Sequence, residues 1–289
     1  MATDYGRLLA FYQTASFWSG ELAGVKQFQL SHLDLSHLKE SPDSINLPDI
    51  PAETVLGKRA ESFFQFCVEQ SSNYNVILAN EQIFRGKATI GELDFILEER
   101  ASKKLIHVEL VYKFYIYEPS KQYRSDFLSA IQNFELAHYV GPNRRDYFIK
   151  KLDHLISKQL PLLYKPETQE RLSQLGIFTD NIEQQICFLA HVFIPQTAWQ
   201  NDFKYLNKKS IVGYYVDEYA FAKAKTSNKY YIPQKKEWKL QPQELAVSYN
   251  HKEVLDLTSS SLKRGFAPMI WMQWSNGDFE SFFIVSTTK

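Results

Sequence analysis

The sequence predicts an α/β fold of the α+β kind: a core sheet flanked by helices, with an N-terminal helical extension and a β-rich C-terminal part. Three observations carry this. Apolar residues recur at helical spacing in 54–70, and again in 121–140 and 144–163. Between the first two of these helices lie three stretches of strand character, the last two patterned as a hairpin. From 185 onward, runs of β-branched and aromatic residues dominate. A chain of 289 residues can form one large domain or two smaller ones. The expected divisions are 1–53, 54–165 and 166–289, the last able to complete the same domain as the second.

Residues 1–41 carry helical patterning and polar loops, with Leu8, Leu9, Phe11, Tyr12, Phe17, Trp18 and Leu22 as an apolar face. The segment 41–53 is rich in Pro, Asp and Ser and reads as a loop. In 54–70, Leu56, Ala60, Phe63, Phe64, Cys67 and Val68 form a helical stripe, and Glu61 sits beside it. Strands are expected at 75–84, 90–97 and 104–117. The helix at 121–140 has Phe127, Leu128, Ile131, Phe134, Leu136 and Ala137 as its inner side. Gly141, Pro142 and Asn143 break it. A basic amphipathic helix restarts at 144–163, with Leu152, Leu155, Ile156 and Leu160 inside. Further strands are expected at 185–194, 209–217, 229–234, 267–275 and 279–287. No internal repeat or low-complexity tract is visible.

Composition excludes several classes. No apolar run approaches the ~18 residues of a membrane span. The first residues, MATDYGRLLAFYQTASFW, lack the basic stretch and apolar core of a secretory signal. Cys67 and Cys187 stand in apolar surroundings and read as buried free thiols of a reducing, cytoplasmic compartment. Formal net charge is zero, so the whole chain is not a polyanion binder. The charge is uneven, however. Residues 1–110 hold ten Lys/Arg against fifteen Asp/Glu, 141–165 six against two, and 200–240 nine against four. Such asymmetry can give a local phosphate-binding face on a neutral protein.

The hairpin from Gly91 to Phe114 is the most informative segment. One register sorts its residues by polarity. Leu93 pairs with Leu110, Phe95 with Val108 and Leu97 with Ile106 on an apolar face. On the other face Ile90 pairs with Lys113, Glu92 with Val111, Asp94 with Glu109, and Ile96 with His107. The connection at Arg100 to Lys103 is not a favoured hairpin turn. Opposed carboxylates weaken a sheet unless something positive lies between them. Oxygen ligands of this kind suit a hard divalent cation, which activates a bound water and clamps a phosphate oxygen. A nearby lysine can steady the developing negative charge. Pattern alone leaves a second reading open, a solvated polar face with Lys113 paired diagonally to Glu92.

The helix bearing Glu61, then Asp94, then Glu109 followed by a lysine, resembles the PD-(D/E)XK nuclease superfamily. More closely, LGKRAE (56–61), GELDFIL (91–97), HVELVYKFY (107–115), GPNRRD (141–146), KLDHLISKQLPL (151–162) and IVGYY (211–215) resemble the bacterial domain-of-unknown-function family 1853. The resemblance implies a restriction-endonuclease-like core. It also implies metal-dependent phosphodiester hydrolysis, with Glu61, Asp94 and Glu109 binding Mg²⁺ or Mn²⁺ and Lys113 assisting the water. One position departs. The superfamily lysine stands two residues after the second acid, where this chain has Val111. Lys113 would lie roughly 13 Å along a straight strand from Glu109, against roughly 6.6 Å for the usual place.

Arg144, Arg145, Lys151 and Lys158, with Lys150, could hold phosphates or simply solvate the helix, on which Arg144, Lys151 and Lys158 share a face. Gln159 could contact substrate, as a glutamine on such a helix sometimes does in exonuclease-like members, or could be an ordinary surface glutamine. Tyr214, Tyr215, Tyr230 and Tyr231 interleave with lysines and could stack bases or build the sheet. The expected partner is nucleic acid, DNA before RNA, with a protein partner possible and no membrane. The alternative function is a non-catalytic nucleic-acid- or protein-binding module on the same fold.

Overall fold

The hairpin and its neighbours build the centre of one mixed sheet. In the computed structural model, which describes residues 4–36, 46–119, 123–224, 227–242 and 246–287, β3 (Tyr74–Arg85), β4 (Ala88–Glu99) and β5 (Leu105–Tyr117) form an antiparallel meander. β7 (Glu183–Pro195), one run of apolar residues, pairs in parallel with β5 from Ile106 to Ile116. β8 (Ile211–Asp217), β11 (Phe279–Val285), β10 (Met269–Gln273) and β9 (Lys229–Tyr231) extend the sheet in that order. The short strand β2 (Val25–Gln27), itself paired with β1 (Glu21–Leu22), adds to β7. Strands from all three predicted divisions therefore share one sheet. β6 (Tyr139–Val140) pairs with the end of β5.

Helices cover both faces. α1 (Asp4–Tyr12) and α2 (Leu56–Gln70) pack Leu8, Phe11, Phe63, Phe64 and Cys67 on Phe95, Leu97, Val108 and Leu189. On the opposite face, Phe148–His154, Leu155–Gln159 and Leu160–Leu162 run on as one helix, α4, which follows the short α3 (Ala130–Leu136). Its Phe148, Leu152, Leu155 and Leu160 pack with Phe17, Tyr115, Tyr139 and Phe188. α5 (Pro166–Gln174) covers the β3–β4 end, where Leu172 meets Ile83. α6 (Glu218–Lys223) and α7 (His251–Lys263) cover the C-terminal strands through Phe221, Val254 and Leu262. Cys67 and Cys187 are buried and free, as expected. No helix among the described residues is long and apolar enough to cross a membrane.

Several expectations need correction. Only 130–136 of the predicted 121–140 helix is helical. Its capping box at Ser129 and Gln132 starts it late, and Asn133 ties it back to the Ser125 backbone. The supposed inner residues Phe127, Ile131 and Phe134 are exposed; residues 121 and 122 lie outside the described set, as do 37–45 of the predicted N-terminal segment and loop. Phe17, Trp18 and Leu22 belong to no helix; the chain leaves α1 and crosses to the other side of the sheet, burying them with Phe148. Tyr214, Tyr215, Tyr230 and Tyr231 are sheet residues. Tyr230 is buried, Tyr214 stacks on Phe282 at 5.2 Å, and the hydroxyls of Tyr215 and Tyr231 donate to Tyr117 O and Gln273 Oε1.

Candidate active site where β4 and β5 part

The β4–β5 register is the predicted one over Phe95/Val108, Ile96/His107, Leu97/Ile106 and Glu98/Leu105. The ladder then stops, so the pairings expected for Ile90 with Lys113, Glu92 with Val111, Leu93 with Leu110 and Asp94 with Glu109 do not form. Asn80, on β3 beside Asp94, has φ 52, a left-handed conformation uncommon in a strand. Before this point Phe95 and Leu97 face α2; after it Leu93 packs with Ile83, Ile96 and Leu162 on the other side. A regular strand cannot put Leu93 and Ile96 on one face. The predicted single apolar face is therefore split at Asp94, with Leu110 staying on the α2 side. Gly91 fits this turn-away because a Cβ there would lie 2.5 Å from Leu162 Cδ2.

Asp94 sits in the opening. Its Oδ2 accepts the Leu110 N–H at 2.8 Å, replacing a missing strand carbonyl. Glu109 follows on β5 and is fully buried. The Gln184 amide donates to His107 Nδ1 (3.0 Å) and to Leu160 O (2.7 Å). That leaves the His107 Nε2–H to donate to Glu109 Oε1 at 2.9 Å. Gln159 Nε2 donates to Glu109 Oε2 at 2.5 Å, and Gln159 Oε1 accepts from Lys151 Nζ at 2.7 Å.

Pro161 explains why α4 delivers both Lys151 and Gln159. Proline lacks an N–H and crowds the carbonyl four residues before it. The preceding turn, Leu155–Gln159, widens to a π-helix in which the Leu160 N–H reaches Leu155 O. Lys151 and Gln159 are eight positions apart, which in an unbroken α-helix would turn them about 80° from each other. The extra residue of the π turn takes up that angle and aligns them over β5.

The electrostatics are short of positive charge. Burial, then Glu109, push the Asp94 carboxyl up to about 8, with Glu61 adding to the rise. Burial likewise raises Glu61 despite its 2.7 Å bond from Lys58, with Glu92 and Glu109 adding to the rise. Burial pulls the Lys151 amine below its ordinary value, while Glu109 and then Asp94 act in the opposite direction.

The predicted residues are thus brought together in part. Glu109, Gln159 and Lys151 form one hydrogen-bonded group, which Asp94 joins electrostatically. Glu61 reaches it electrostatically but is bonded to Lys58, which also binds Glu92 at 2.7 Å. Lys113 is bonded to Asp146 Oδ2 at 2.5 Å. Arg144 is not on the helix face expected for it: it precedes α4 and holds Glu118 at 3.0 Å. Arg145 lies over the Phe266 ring at 5.1 Å, and Lys158 is exposed on α4. Among the described residues no three His, Cys, Asp or Glu side chains converge as a ready metal cage.

An open cleft of about 420 Å³ adjoins the group. It follows the edge of β5 between Val108, where β4 leaves, and Ile116, where β6 joins. Leu110, Lys113, Asp146, Lys151, Lys235 and Trp238 line it, with Arg145 at its wall. Sequence reading missed Lys58 and the Gln184–His107 pair. It read Lys151 only as a phosphate or solvent residue; the one available signal was Pro161 inside a helical pattern.

No curated protein and no solved structure matches the chain. A family model does match, over residues 10–272, covering the acidic pair, α4 and most of the sheet. The chain belongs to the family described as Domain of unknown function (DUF1853).

Proposed function

We propose that the protein is a metal-dependent nuclease of the PD-(D/E)XK superfamily, hydrolysing phosphodiester bonds of nucleic acid in a bacterial cytoplasm. The observation that carries this is the buried Asp94–Glu109 pair at the parting of two strands, wired through Gln159 to the Lys151 amine. The donor set fits a hard cation. It offers carboxylate oxygens, and on top of burial Glu109 raises the proton affinity of both Asp94 and Glu61. Mg²⁺ is commonly held by one or two carboxylates and keeps several waters, so a full protein cage is not required. Asp94 and Glu109 would hold Mg²⁺ or Mn²⁺, with Glu61 adding charge from α2. The ion, when bound, supplies an acidified water and charge neutralisation at the phosphate.

The chain's own residues do the rest. Gln159 and His107 fix the Glu109 carboxylate. Lys151 takes the role that the superfamily gives to a lysine two residues after the second acid, steadying charge that develops on the phosphate. Lys113 and Arg145 lie further along the cleft, suited to backbone phosphates of a DNA strand before RNA. The test offers single- and double-stranded DNA and RNA to the purified protein with Mg²⁺ or Mn²⁺. Cleavage by the wild type and its loss in Asp94→Asn are expected. No cleavage, with both proteins alike, overturns the reading.

A second reading, a nucleic-acid-binding module without catalysis, draws on one observation: both Glu109 oxygens already accept hydrogen bonds. It predicts salt-sensitive binding that survives Glu109→Gln.

A further inference from the structure

A second pocket, basic where the first is acidic, lies at the start of α2. It adjoins the cleft, since Leu56, Tyr112 and Lys235 line both. Arg59 is buried to 2% exposure. Its Nη2 donates to Pro51 O at 2.9 Å and Ala52 O at 3.5 Å, but its Nε and Nη1 have no hydrogen-bond partner. Asp4 Oδ1 is 3.9 Å from Nη1 and already accepts from Arg7 at 2.6 Å. Arg7 Nε is also buried without a partner.

Lys239 closes the other side. Its amine donates to the Thr14 hydroxyl at 3.0 Å and stands 3.3 Å from the centroid of the Tyr112 ring. No carboxylate pairs with it among the described residues, and burial lowers its pKa well below the ordinary value. Lys235 and Lys236 stand at the same pocket. The acids nearby are Asp4 and Glu237, the latter 3.4 Å from Arg7. α2 is 15 residues long and its N-cap, Val55, supplies no side-chain cap. Its first-turn N–H groups therefore add to the positive end.

Buried donors without acceptors are costly. Guanidinium forks, an amine and a helix N-terminus are the groups that bind an oxygen-rich anion. We infer that this pocket is a phosphate subsite, formed by Arg59, Arg7 and Lys239 at the first turn of α2. Its enclosed volume, about 20 Å³, admits one or two oxygens. The remainder of the phosphate sits at the opening beside Lys235 and Lys236. Where the cleft takes a nucleic-acid strand, the phosphate belongs to that strand, remote from the bond that is cut. This last placement rests on the nuclease reading; the anion site does not.

The test uses the full chain, wild type and Lys239→Met, in two arms without divalent metal. In the first, thermal melting is followed with inorganic phosphate against chloride at equal ionic strength. The wild type gains stability specifically from phosphate, and Lys239→Met, which removes the buried amine, does not. In the second, a labelled single-stranded oligonucleotide is titrated by anisotropy. A loss of about tenfold in affinity, some 1.4 kcal/mol, in Lys239→Met identifies a strand phosphate as the occupant. Unchanged affinity with a lost phosphate response identifies a small free phosphate. Arg7→Met gives the same outcomes should Lys239→Met fail to fold. No phosphate-specific gain, together with equal oligonucleotide affinity, overturns the subsite. A phosphate response in a protein that cleaves nothing keeps the subsite and removes the nuclease reading instead.

Discussion

Asp94→Asn should make the metal-free protein more stable, and the gain should grow with pH. The side chain is 9% exposed, and its Oδ2 accepts one backbone N–H. An asparagine Oδ1 can accept the same bond. What the substitution removes is a carboxylate in a site that resists charge. Burial and Glu109 move its pKa from 3.8 to about 8. The sign follows from proton counting. Between these values the folded state keeps a proton that the unfolded state has released, so wild-type stability falls as pH rises through the window. Above it the whole penalty is present. At about 1.4 kcal/mol per pKa unit the ceiling is about 6 kcal/mol. Relaxation and water entry around the carboxylate bring the expected gain to about 2 kcal/mol, roughly 3–4 °C in Tm for a chain of this size. Urea and thermal melts in EDTA at pH 5, 7 and 9 read it. Near pH 5 the two proteins should differ little. Added Mg²⁺ should stabilise the wild type at high pH and leave the variant unmoved. A variant whose advantage is independent of pH, or which is less stable at pH 9, refutes the electrostatic account.

Three further outcomes follow from the geometry. Lys151→Met should lower cleavage by about a hundredfold or more while leaving oligonucleotide affinity within a few-fold, whereas Lys113→Met, already paired with Asp146, should cost less than about tenfold. Single-turnover rates and anisotropy separate the two; equal losses contradict the assignment of Lys151. Gly213→Ala should destabilise by about 3 kcal/mol or more, because a Cβ there would stand 2.1 Å from the Ser281 backbone oxygen and 2.8 Å from the Phe193 ring. Urea unfolding checks this. Phe134→Ser, at a position 76% exposed, should change stability by less than about 0.5 kcal/mol; a core-sized loss would restore the helix expected from the sequence.

The hairpin register was legible because apolar alternation at Phe95, Leu97, Ile106 and Val108 admits one pairing. The fate of Leu93 was not. Leu93 and Ile96 share one side of the sheet, a break in alternation next to the left-handed Asn80 of another strand, which no alternation pattern reveals. α7 was missed although Asn250 and Glu253 form a capping box and Val254, Thr258 and Leu262 recur at helical spacing. The polar run Thr258 to Ser261 masked the stripe. Phe127, Ile131 and Phe134 gave the opposite error, a helical stripe whose side chains stand exposed. Asp94 and Glu109 stood out as opposed acids in the predicted register, but the ladder ends one pair short of them and Asp94 accepts the Leu110 N–H instead. The link from Glu109 to Lys151 was invisible because it needs a π turn and the docking of α4 on β5. Arg59 and Lys239 meet only through the packing of α2 against a segment far along the chain.

The most direct test is a time course of nucleic-acid cleavage by the wild type with Mg²⁺, repeated in EDTA and with Asp94→Asn. The account predicts cleavage that requires the metal and falls to background in the variant, while folding and oligonucleotide binding persist. Cleavage that continues in Asp94→Asn, or none in the wild type on any DNA or RNA substrate, would contradict it.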